Sequence, residues 1–218
     1  MAELDSDRIA NAALAVVDKH GVAGFTMRAV ADLLRVTPMA LYHYVKNKAA
    51  LASLVVDAAI RLCPLPPPTG IWREDLWAMA KWIRDRTLAH PQVSLLRREF
   101  HVWTPSMLQM TEHWLSVWQQ SGLELDKAVL AATTSSMAIT GIVHEEMIFK
   151  SMQLPDKSQL AWLPNVRLMF DADHNRDAEF ELIVRSLIDG MHARLKATRI
   201  RTTQVTGARP RRGRNRHR

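Results

Sequence analysis

Thr37-Pro38-Met39-Ala40-Leu41-Tyr42-His43-Tyr44-Val45-Lys46-Asn47-Lys48 is the stretch that decides how this 218-residue chain is read. Thr37 is a cap former and Pro38 suits the first helical position, where no backbone N–H is needed, so a helix starts here and runs to about Tyr44. Leu41 and Val45, four apart, face inward; Met39, Tyr42 and His43 project from another side, with Tyr44 near the boundary. Both tyrosines of the chain lie here, on a helix of about two turns that is too short to bury three rings. Exposed rings with polar tips need a partner. Thr37, the tyrosine hydroxyls and the helix N-terminal amides suit phosphate oxygens, and Met39 or Ala40 can touch a thymine methyl.

Working outward, Thr26 caps a preceding helix that carries Val30, Ala31, Leu33 and Leu34 inward and stops near Arg35. Two helices joined by such a tight turn make a helix-turn-helix whose second member fits a major groove. Arg28 and Lys48, at the starts of the flanking helices, are placed to reach the adjacent backbone or a guanine edge. Before this pair, Ile9, Ala12, Ala13, Val16 and Val17 keep helical spacing after the cap formers Asp5-Ser6-Asp7 and end at His20-Gly21. After it, Asn47 caps a helix through Leu51, Leu54, Val55 and Ala58 to about Leu62. The run Cys63-Pro64-Leu65-Pro66-Pro67-Pro68 ends it, because prolines lack the N–H and push the preceding residue out of the helical region.

From Trp72 the periodicity is helical again, with no alternating β-branched run: about 72–90, 92–102, 105–121, 124–150 and 176–196, with 151–175 read as a loop. The fold class is therefore all-α. Residues 1–63 form a helix-turn-helix domain, 70–196 a helical domain, and 197–218 a basic tail expected to be disordered. Charge follows the same division. The net charge of +7 comes from +1 over residues 1–63, −3 over 64–195 and +9 over 196–218, so the basic pI says nothing about the folded body. The single Cys63 permits neither an intrachain disulfide nor a cysteine-rich zinc site. No run of about 18 apolar residues exists and the N-terminus is acidic, so no membrane span is expected and a cytoplasmic location is.

Gly24-Phe25-Thr26-Met27-Arg28-Ala29-Val30-Ala31, Val36-Thr37 and Ala40-Leu41-Tyr42-His43-Tyr44-Val45-Lys46-Asn47-Lys48-Ala49-Ala50-Leu51 resemble the DNA-binding domain of the tetracycline-repressor (TetR) family over about residues 8–60. Ile71-Trp72-Arg73-Glu74-Asp75-Leu76, the His90-Pro91 helix end and the long helix Ala128 to Glu146 resemble the ligand-binding domain of the tetracycline-repressor branch. The resemblance implies a homodimeric, ligand-responsive repressor of transcription. Its positions equivalent to Arg28, Thr37, Pro38, Met39, Ala40, Tyr42, Tyr44 and Lys48 would face double-stranded operator DNA, and His43, projecting from the same short helix, is expected beside them. Two departures stand out: Arg35 occupies the turn where glycine is usual, and Pro38 sits where a base-reading polar side chain is common.

For the second domain, Trp82, Phe100, His101, Trp103, Trp114 and Trp118 are candidates to line a cavity for a small apolar effector, each weighed against plain core packing. The last helix carries an apolar face too wide for one side of a monomer, and Phe180, Val184, Leu187 and Met191 are expected at a dimer interface. His101, His113 and His144 with Glu145 and Glu146 show no tight metal-ligand spacing, so no metal and no cofactor is expected. The Glu145-Glu146 pair is read as solvated helix surface rather than acid/base machinery. The rival to a regulator is a small helical enzyme or binding protein that uses the aromatic cavity without DNA.

Overall fold

The computed structural model describes residues 4–153, 155–171 and 175–198, and among them contains eleven helices and no strand. The first domain holds α1 (Ser6–Gly24), α2 (Met27–Leu34), α3 (Pro38–Tyr42) and α4 (Lys48–Arg61). The second holds α5 (Trp72–Ala89), α6 (Pro91–Phe100), α7 (Pro105–Gln120), α8 (Leu125–Ser151), α9 (Lys157–Leu160), α10 (Pro164–Asp171) and α11 (Arg176–Ala197). The expectation of a disordered basic tail falls on residues 199–218, outside those described.

Side-chain caps set the helix starts. Asp5, Thr26, Thr37 and Asn47 each accept from the backbone N–H three residues on, at 2.8 to 3.3 Å, satisfying donors that have no partner within the helix. Gly21 adopts the expected left-handed φ of +65°, yet α1 resumes after this kink for a final turn to Gly24. The third helix is shorter than its pattern suggests: Tyr42 ends it and Tyr44 lies in the turn beyond. Leu33, expected inward, is exposed, because the eight-residue α2 buries one narrow side that Val30 and Ala31 fill. The expected loop at 151–175 contains α9 and α10. Asp156 and Gln159 close a reciprocal capping box at α9, and Pro164 opens α10, local signals strong enough to wind short helices.

Two apolar cores form. The first joins Ile9, Val17, Phe25, Val30, Leu41, Leu51 and Val55 of α1–α4 to Leu96, Val102 and Met107 from α6 and the start of α7. The second packs α5, α7, α8 and α11 around Leu76, Trp118, Ile139 and Ile188. Phe180 and Val184, expected at an interface between chains, are buried in this second core, and Leu187 and Met191 pack partly buried against it. The spacing of α11 is wide because it fills its own domain first; the apolar groups left outside are Leu182 and Ile183.

Arg84 of α5 pins three helices together. Its guanidinium donates twice to Glu146 of α8, at 2.7 and 2.9 Å, and once to Asp177 of α11, at 2.7 Å, while lying over the Phe180 ring. The Arg84 and Glu146 side chains are only 7% and 9% exposed, so Glu146 is not the solvated carboxylate its sequence context suggested. Hydrogen bonds from Arg84 hold the Glu146 carboxyl below its ordinary range despite the opposing effect of burial, with Lys150 assisting. A carboxylate with a lowered folded-state pKa stabilises the fold above the ordinary carboxylate range and loses that contribution as pH falls through its folded value. Glu146→Gln should therefore cost about 3 kcal/mol near neutral pH, where it removes the buried carboxylate and leaves the Arg84 guanidinium to the exposed Asp177. In urea titrations at stepped pH the gap between variant and parent should narrow as pH falls below the ordinary glutamate range.

Candidate functional site

Around α3 the structure presents a polar and aromatic surface. Thr37, Pro38, Met39, Tyr42 and His43 are exposed, and Ala40 is half-buried behind them. Met39 is 69% exposed on a well-packed domain, a thioether that no described residue covers. Leu41 and Val45 anchor the opposite side in the first core. The Tyr44 hydroxyl donates to the Leu4 carbonyl at 2.5 Å, tying the N-terminal segment to the end of the recognition unit. Arg28 is exposed, with only a long 3.9 Å pairing to Asp32. Lys48 is half-buried: its ammonium lies 5.6 Å from the centre of the Phe25 ring and 5.2 Å from that of Phe100, contacts that spacing alone did not reveal.

The second feature is a cavity of about 350 Å3, open on one side to solvent and lined by α4, α5, α6, α7 and α8. Trp82 and Trp103 line it. The other effector candidates lie elsewhere. Trp114 and Trp118 are buried core, both donating their indole N–H to Ser135 Oγ, at 3.2 and 3.0 Å, while that hydroxyl donates to the Ala131 carbonyl. Phe100 packs edge-on against Phe25, with ring centres 6.2 Å apart, in the first core. His101 sits in an outer cleft with Arg98 and Glu99, in a left-handed conformation at the end of α6. Sequence reasoning missed Arg86 and His90, which the α5 register places one and two turns beyond Trp82. Among the described residues no three potential metal-ligating side chains converge.

α6 connects the two features. Leu96 is buried in the first core, Ser94 and Arg97 line the cavity, and Val93 does both. His90, at the α5–α6 junction, also lines the cavity and places Nδ1 2.8 Å from Asp18 of α1. The Ser106 amide donates to Asp57 of α4 at 3.1 Å. Burial opposes ionisation of Asp57, but the Ser106 and Thr104 hydrogen bonds and the Arg61 charge together hold its carboxyl below the ordinary range.

Comparison with known proteins places this architecture. The family model for the tetracycline repressor-like C-terminal domain matches residues 63–195, and that for bacterial regulatory proteins of the tetR family matches residues 9–55. The chain belongs to the TetR family. An HTH-type transcriptional regulator of Saccharopolyspora erythraea is 28% identical over 148 residues, 67% of this chain but only 63% of that protein. The class E tetracycline repressor protein of Escherichia coli is 27% identical over 205 residues, covering 89% of this chain and 94% of its own. Among solved structures, Streptomyces coelicolor ActR in complex with actinorhodin superposes with a TM-score of 0.70 at 25% identity, covering 89% and 99% of the two chains.

The turn between α2 and α3 holds a non-glycine residue at positive φ. Arg35 holds φ +57°, ψ +43°, a left-handed conformation that crowds its Cβ against the backbone. It persists because its N–H bonds to the Ala31 and Asp32 carbonyls, closing α2 while Val36 N–H returns to Ala31. Arg35→Gly should keep this turn and raise the unfolding free energy by up to about 1 kcal/mol. Denaturant melts check this, and a loss of stability would mean that the arginine side chain compensates for its backbone.

Proposed function

We propose that the chain is a transcriptional repressor which binds operator DNA as a homodimer through α2, α3 and the start of α4, and which a small molecule in the α4–α8 cavity releases. The observation that carries this reading is α6, whose two sides serve the recognition domain's core and the cavity wall. A dimer reads two half-sites only when its recognition helices stand about 34–36 Å apart, in successive major grooves. A ligand that favours an α6 position with another separation weakens DNA binding by the factor by which DNA weakens ligand binding. The tetracycline repressor and the ligand-bound ActR structure named above support the repressor and ligand parts of this reading. We infer regulation rather than catalysis, because the relatives named above are regulators of transcription.

On DNA, we assign Tyr42, Met39 and His43 to the groove, Thr37 to a flanking phosphate, and Arg28 and Lys48 to the periphery, while Tyr44 holds the N-terminal segment through Leu4. Tyr42→Ala should leave helix content and melting temperature unchanged while weakening operator binding by about 1–3 kcal/mol in titrations at fixed salt. Unfolding instead would show that the ring serves the fold.

For the dimer we assign the outer faces of α8 and α11. Met137 and Leu182 are 72% and 69% exposed, and Leu130 and Ile183 lie exposed beside them in sequence register. Gly141 and Gly190 sit inside these helices, each facing space where an added Cβ would meet nothing. Glycine inside a helix costs about 1 kcal/mol relative to alanine, and the single chain does not need it at either position. Close approach of a second chain explains both. Gly190→Leu should keep helicity yet shift sedimentation from dimer to monomer; an unchanged dimer would place the interface elsewhere.

A further inference from the structure

We infer that the ligand of the cavity is an organic anion, a compact apolar body carrying a carboxylate or a similarly acidic oxygen, and not the wholly apolar molecule its tryptophans suggest. This rests on the reading of the cavity as the effector site and names the class of molecule it takes.

The lining is one-sided in charge. Arg86, Arg97 and Arg98 contribute to it and, among the described residues, no aspartate or glutamate does, although residues 64–195 as a whole carry more acidic than basic groups. Glu99 lines the outer cleft instead. The contrast with Arg84 is instructive. Half a turn earlier on α5, Arg84 spends its donors on Glu146 and Asp177, whereas Arg86 is half-buried and, among the described residues, has no carboxylate partner and a single hydrogen bond, 3.5 Å to the Ala59 carbonyl. That bond is at the limit of useful length and leaves most of a five-donor fork unanswered.

A second observation is independent of the arginines. The Trp82 indole N–H and His144 Nε2 are buried without a hydrogen-bond partner, and both residues line the cavity. The Trp82 residue is 91% buried, and an indole N–H only donates, so its missing partner is an acceptor. Trp82, Arg86 and His90 recur every four residues along one side of α5 and its end, and Ser136, Thr140 and His144 do so along α8. A neutral apolar occupant would strip water from these donors and return nothing. An acidic oxygen accepts from indole, imidazole and guanidinium together and neutralises a charge. The remaining walls, with Val56, Ile83, Met107 and Met110, suit an apolar body, and about 350 Å3 lies near the small end of ligand sites.

The test compares 2-naphthoate with 2-naphthamide, which share ring and shape but differ in charge, by calorimetry and ligand-observed NMR on the intact protein. Naphthoate should bind at least tenfold tighter; Arg86→Gln should remove that preference while leaving naphthamide unchanged, and Arg86→Lys should restore most of it. Equal affinity of the two probes for the parent protein, or a preference that survives Arg86→Gln, overturns the anion assignment and leaves the effector site standing. Failure of both probes to bind at millimolar concentration, or binding that persists when Thr140→Phe fills the cavity, removes the effector site and the inference with it.

Discussion

Leu96 of α6 is fully buried in the apolar core of a domain to which its own helix does not belong in sequence. Everything functional here depends on that intrusion. Withdrawing a leucine from such a position forfeits about 1.5–3 kcal/mol of burial, so α6 and the recognition domain move together or come apart at a cost. Val102 and Met107 extend the shared core, and α6 packs on both α1 and α4. The helix therefore has few free positions, and a molecule pressing on its cavity side acts on a part already coupled to α3.

Polar contacts sharpen the same junction. His90 reaches Asp18, Ser106 reaches Asp57, and the Lys48 ammonium sits over one ring from each domain, Phe25 and Phe100. Gly21 fits the junction too: a side chain there would meet Gln92 of α6 at 3.3 Å in a backbone conformation that favours glycine. Interfaces held by a few specific contacts tend to have discrete arrangements rather than a continuum. On the far side, Arg84 clamps α5, α8 and α11, giving α6 a stationary wall to work against.

Much of this was legible in the residues, and the parts that were not share a physical cause. Caps and prolines are local signals, so Thr26, Thr37-Pro38 and Asn47 placed the helix-turn-helix, and the strained Arg35 was visible as a non-glycine residue in a tight turn. Which side of a helix meets which neighbour is not local. Trp114 and Trp118 have the composition of a pocket and the position of a core, a distinction made by Ser135 on another helix. Phe180 and Val184 belong to a stripe that serves its own domain, and periodicity cannot say whose core a stripe enters. Arg86 and His90 were passed over because charged residues on a helix usually face water; only the packing of α4 and α6 against α5 turns them inward.

The claim that carries the account is that occupancy of the cavity sets the recognition helices through α6. Replacing Ser136, on the α8 wall, by tryptophan fills the cavity from a helix outside the recognition domain. Titration of parent and Ser136→Trp proteins on operator and random DNA, at one salt concentration, measures the consequence directly. The account predicts that the variant keeps its fold, retains its weak affinity for random DNA and loses at least tenfold in operator affinity, about 1.4 kcal/mol. An unchanged operator isotherm, with the new indole seen inside the cavity, would contradict it.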